Sequence, residues 1–149
     1  MENLYEVNSK TCALIALSET KSEIIEKEKI FVVEKPTLDI LKDSCEYYGS
    51  TYEGRMLGSK KQLGMRYKLP IIIESSNDLI MFPTASANNE NCCWIALNNI
   101  TSYEKQDNNV IVKFDGNIKQ LFHMSLESLE NQIFRATKLM LLMKNRRQN

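Results

Sequence analysis

Histidine is almost missing from this chain: His123 is the only one in 149 residues, in a strand-like run between Phe122 and Met124 with no nucleophile or acid beside it. The members of a triad meet in space rather than in sequence, but nothing here announces one. Long apolar runs are missing too. No stretch reaches the roughly 18 residues that a membrane-spanning helix needs, and Met1-Glu2-Asn3-Leu4-Tyr5-Glu6 carries acids where a secretory leader would carry Lys or Arg. The expectation is a cytoplasmic protein with no membrane partner. Cys12, Cys45, Cys92 and Cys93 form no C-x-x-C pair, so neither a disulfide framework nor a zinc ribbon fits them. They read as reduced thiols behaving as small, partly buried apolar residues. Walker-type and G-x-G-x-x-G loops are absent, since Gly54-x-x-x-Gly58-Ser59-Lys60 is too short for the former. No cofactor, no metal and no enzyme activity are expected.

Net charge is also lacking, with 19 basic and 19 acidic side chains. Its distribution is uneven. Residues 1–59 hold 7 basic and 11 acidic groups, a net of −4, and residues 60–149 hold 12 and 8, a net of +4. Such a dipole can give one face a positive field despite a zero total.

What is present suits one domain over residues 1–149. At 43% hydrophobic, a chain of this length buries roughly two thirds of its unfolded surface, and no repeat or low-complexity linker divides it. Short β-branched runs predict strands at Cys12–Ser18, Ile30–Val33, Pro70–Glu74, Leu79–Phe82, Cys93–Leu97, Val110–Phe114 and Ile118–Met124, with Asp115-Gly116 as a hairpin turn. Pro36 and the spacing of Leu38, Leu41, Cys45 and Tyr48 predict a helix over Thr37–Tyr48, stopped at Gly49. Ser125 caps a final amphipathic helix whose stripe is Leu126, Leu129, Ile133, Ala136 and Met140. Phe134, Leu141 and Leu142 fall off that stripe. Either another subunit covers them, making an oligomer interface, or the helix simply fits a broad sheet. The fold class expected is α+β: an antiparallel, curved or barrel-like sheet with an inserted helical segment and a C-terminal amphipathic helix. Strands followed by one such helix is also the order of a pleckstrin-homology-like barrel.

Between the first helix and Pro70 the composition changes. Residues 49–68 contain four of the five glycines, and Arg55, Lys60, Lys61, Arg66 and Lys68 place five cations in fourteen residues with no acid among them. Tyr47, Tyr48, Tyr52 and Tyr67 lie beside them. Free backbone, long cationic stems and phenols that can bond phosphate oxygens are what positioning on a nucleic acid needs. A solvated lysine-rich loop has the same composition. A second basic run, Lys144, Arg146 and Arg147, reads as favourable charge at a helix C-terminus.

Three stretches then coincide. Cys45-Glu46-Tyr47-Tyr48-Gly49-Ser50-Thr51-Tyr52-Glu53-Gly54-Arg55, followed by Gly58-Ser59-Lys60 and Lys68-Leu69-Pro70-Ile71, resembles the signature segment of the competence transcription factors of Gram-positive bacteria, the ComK family. Phe82-Pro83-Thr84-Ala85-Ser86 and Cys92-Cys93-Trp94-Ile95 are similar to two further family motifs. The resemblance is strong over residues 45–95 and rests on general layout elsewhere. It implies a regulator that activates DNA-uptake genes by binding paired A- and T-rich boxes, mainly through the minor groove, as a homodimer or a dimer of dimers. A narrow, strongly negative A-tract groove attracts inserted Arg or Lys. DNA contact is carried onto Arg55 and Lys60, which match the motif, and onto Lys61, Arg66 and Lys68 by charge. RNA polymerase and a proteolytic adaptor are partners that the family implies through a C-terminal extension longer than this chain's. Histidines that the family often carries are here Tyr67 and the run Ala96 to Asn99, so their roles are not transferred. The alternative is a non-enzymatic module on a pleckstrin-homology-like barrel, taking a protein or lipid head group through the same cations without DNA.

Overall fold

The computed structural model of the protein describes residues 4–148, with side chains through 146. The N-terminal residues 1–3, on which the leader expectation partly rests, lie outside it. Strands β1 (Thr11–Ala16), β2 (Ser22–Glu26), β3 (Ile30–Val33), β4 (Ile71–Glu74), β5 (Leu79–Pro83) and β6 (Trp94–Ala96) form one antiparallel sheet in the order β3-β2-β1-β6-β5-β4. A second antiparallel sheet holds β7 (Ile100–Gln106), β8 (Asn109–Phe114) and β9 (Ile118–Phe122) in chain order. Three helices complete the fold: α1 (Thr37–Tyr47), α2 (Tyr52–Leu63) and α3 (Leu126–Gln148).

The expected α+β class holds, and the sheets are open rather than closed into a barrel. The pleckstrin-homology-like barrel is thereby corrected. The reason is topological. β3 and β4 are opposite outer strands, so the chain between them must cross five strand steps, about 24 Å at the usual spacing. Helices α1 and α2 make that crossing over one face, where a barrel would instead pair the two edges.

Both faces of the larger sheet are buried. Leu14, Ile24, Ile71, Ile73, Met81 and Trp94 pack against Ile40, Leu41 and Cys45 of α1 and Tyr52 of α2. Ala13, Ile25, Ile72, Ile80, Phe82 and Ile95 face the other way, against Val110, Val112, Phe114 and Phe122 of the second sheet and Leu129, Ala136 and Leu139 of α3. A strand covered on both faces loses the polar–apolar alternation that marks a half-buried one, which is why β2, with Ile24 and Ile25 both buried, was not foreseen. β7 escaped notice for the opposite reason, since Thr101–Gln106 are all exposed on an edge strand.

The Asp115-Gly116 turn forms as expected. Gly116 has φ +87°, and a Cβ there would stand 2.5 Å from the Lys27 carbonyl oxygen. Glycine is therefore needed both for the turn and for its seat on the β2–β3 connection, where Lys27 also pairs with Asp115 at 3.6 Å.

Candidate nucleic-acid interface

Most of the glycine-rich stretch is helix α2, Tyr52–Leu63, rather than free backbone. Thr51 caps α2, its Oγ1 accepting from Gly54 N at 3.0 Å, and Gly64 closes it at φ +67°. Ser59, buried, donates to Pro70 O at 2.6 Å, and Tyr52 enters the core. A cap, a left-handed stop and two anchored side chains outweigh Gly54 and Gly58, each of which costs about 1 kcal/mol against alanine inside a helix.

That helix distributes the five cations. Lys60 and Lys61 are exposed on α2, while Arg66 and Lys68 are exposed on the segment after Gly64. Arg55 is only half-buried into the same helix's flank, and at about 100° per residue it lies roughly 140° around the axis from Lys60. Its Nε is buried without a hydrogen-bond partner among the described residues. The three ion pairs among the described residues are Lys27–Asp115, Lys35–Asp43 and Lys144–Asp78, so no carboxylate neutralises any of the five within 4.0 Å.

Arg66 and Lys68 come together at the rim of a groove of about 500 Å³ between α1, the start of α2 and residues 86–88. Glu53 and Met56 line its α2 wall, and Lys60 follows them on that face at i+7 and i+4. Lys42 of α1 adds a cation that the sequence pattern did not single out. Of the four tyrosines, Tyr67 and Tyr47 are exposed, at 77% and 65%. Tyr52 is buried and the Tyr48 hydroxyl donates to Val7 O at 2.9 Å, so neither phenol faces outward to meet phosphate.

The segment carrying Lys68 is tied to α3. Gln132, 3% exposed, donates from Nε2 to Lys68 O at 3.0 Å and to Pro83 O at 2.8 Å. Nothing in the sequence pattern flagged this glutamine, which lies between Leu129 and Ala136 on the core-facing side.

The second basic run serves the helix end. Lys144 pairs with Asp78 at 3.0 Å and Arg146 Nε donates to Gln62 Oε1 at 2.7 Å; the Arg147 side chain lies outside the described residues. Phe134 and Leu141, 68% and 53% exposed, share one outward stripe two turns apart. Leu142 is half-buried on the flank that Arg146 extends, so the trio is not one surface. All four cysteines are free thiols. Burial pushes Cys12, Cys45 and Cys92 up to about 11, which holds them protonated near neutrality. At Cys45 the nearby Arg55 charge opposes that shift.

The family model for the ComK protein matches residues 2–148. The chain is 32% identical to the competence transcription factor of Bacillus subtilis (strain 168) over 136 residues, covering 89% of this chain and 71% of that protein. No solved structure matches. The signature residues now have visible work: Thr51 caps α2, Ser59 ties it to Pro70, Thr84 Oγ1 accepts from Cys93 N at 3.0 Å, and Trp94 fills the core. A match over nearly the whole chain, with those residues building the scaffold around the cationic groove, identifies this protein as a member of the ComK family.

Proposed function

We propose that residues 1–149 form a single DNA-binding domain acting as a cytoplasmic transcription regulator of competence genes, without enzymatic activity. It binds A/T-rich duplex boxes, mainly through the minor groove. Family membership and the name of the Bacillus subtilis relative support this reading. The observation that carries it is physical: Lys60, Lys61, Arg66 and Lys68 are exposed without carboxylate partners among the described residues. Unpaired cations release the counterions of a polyanion on contact. Arg55, turned to the other flank, is assigned a supporting place rather than a groove contact. A homodimer, or a dimer of dimers on DNA, joins through Phe134 and Leu141, with Leu142 at the margin. RNA polymerase and a proteolytic adaptor are the further partners of this reading.

An electrophoretic shift assay with spaced A/T boxes and a G/C-rich duplex of equal length tests it. Retardation of the A/T duplex at protein concentrations that leave the G/C duplex free is expected. Equal or negligible binding to both overturns the reading.

A further inference from the structure

On the side of Lys68 away from the large groove lies a smaller cleft, of about 110 Å³, formed where β5 ends against α3. Lys68 stands on one wall and Arg135 on the other, with Thr84, Ser128 and Asn131 between them, and no carboxylate among its described lining residues. The cleft has room for more than a single water, enough to admit a small oxyanion.

The cleft is built rather than accidental. Ser128, Gln132 and Arg135 follow one another at spacings of 4 and 3 on one flank of α3. Gln132 Oε1 accepts from Arg135 Nη1 at 3.2 Å while its Nε2 holds the carbonyls of Lys68 and Pro83. One buried amide thus ties the Lys68 backbone to the Arg135 guanidinium. Lys68 itself sits at φ +52°, a left-handed conformation that a non-glycine residue keeps only where its surroundings impose it. The Gln132 amide holds its carbonyl in that conformation. Arg135 takes part in no ion pair among the described residues, and its remaining N–H donors form a planar fork suited to a phosphate.

We infer that this cleft binds one backbone phosphate of the DNA, between Arg135 and Lys68, with Gln132 as the residue that positions both. The inference rests on the DNA-binding reading and extends it: α3 becomes a second wall of the interface, and Lys68 stands between the large groove and the cleft, serving both.

Fluorescence anisotropy of an A/T-rich duplex, titrated with protein across a salt series, tests it in wild type, Arg135→Gln, Arg135→Lys and Lys21→Gln. The last removes an exposed cation on the β1–β2 turn. Arg135→Gln is expected to weaken binding roughly tenfold and to make the log-log salt slope shallower by about 0.9, one phosphate's worth. Arg135→Lys keeps the slope, and Lys21→Gln changes neither. Wild-type affinity and slope in Arg135→Gln overturn the cleft while leaving DNA binding intact. Equal losses in Arg135→Gln and Arg135→Lys, with a lowered thermal midpoint in both, also overturn it, by assigning Arg135 a purely structural role. A wild type that binds no duplex at low salt overturns the DNA reading itself.

Discussion

At the scale of single residues, Gly116 is the position where chemistry is most constrained. Its positive φ and the 2.5 Å approach to Lys27 O mean that Gly116→Ala must move backbone against backbone. A loss of about 2–4 kcal/mol is expected, combining strain in a disfavoured backbone region with overpacking. Urea unfolding checks it, and a loss below the roughly 0.5 kcal/mol typical of surface changes would contradict the close seat. The thiols give a second residue-scale prediction. Cys12, Cys45 and Cys92 are raised from 9.0 to about 11, chiefly by burial. Below pH 9 folded and unfolded chains both keep these protons, so the contribution to stability is fully present. Between pH 9 and 11 only the unfolded chain releases them, and the contribution drains away. Native protein at pH 8 should therefore react with a thiol reagent at these three positions only as fast as it unfolds. Rapid stoichiometric labelling of all three would show that they are not buried. Asp115-Gly116 could be read as a turn from the sequence alone, whereas the Lys27 contact joins residues far apart in the chain and left no local mark.

Among the elements, α2 departs furthest from its sequence. Counting glycines predicts freedom between residues 49 and 68; Thr51, Tyr52, Ser59 and Gly64 instead make a capped and anchored helix. Capping and burial acted at positions where composition alone gave no weight. Gly58 separates the two effects. A Cβ there meets nothing within 4 Å, so Gly58→Ala should stabilise the protein by about 0.5–1 kcal/mol. Destabilisation in a thermal melt would argue against the helix. If the exposed face of α2 approaches a duplex closely, the same variant gains stability while losing affinity. The candidate interface was legible only in part for the same reason. The motif gave Arg55 and Lys60 and charge gave Lys61, Arg66 and Lys68; α2 sets Arg55 roughly 140° around its axis from Lys60, and tertiary packing brings Lys42, Gln132 and Arg135 from α1 and α3 near Lys68. β2 and β7 failed the alternation test from opposite directions, one buried on both faces and the other exposed throughout.

For the whole molecule, two buried layers on either side of one sheet leave outward two features that the proposed function uses: the groove rimmed by Arg66 and Lys68 and the face of α3 bearing Phe134 and Leu141. The proposed second copy would cover Phe134, 68% exposed on the outer side of α3. Phe134→Glu should lower the mass measured by light scattering from dimer to monomer without loss of secondary structure by circular dichroism, because the side chain is exposed and only the dimer's contribution to thermal stability is lost. A wild type that is monomeric at micromolar concentration with and without DNA would remove the interface. In the proposed function the other feature, the exposed cations of α2 and the following segment, meets DNA phosphates. The salt dependence of A/T-duplex binding measures this directly. Four contacts, from Lys60, Lys61, Arg66 and Lys68, predict that changing all four to glutamine makes the log-log slope shallower by about 3.6 per subunit. A slope that the fourfold variant leaves unchanged would contradict the account, because the charge meeting DNA would then lie elsewhere on the protein.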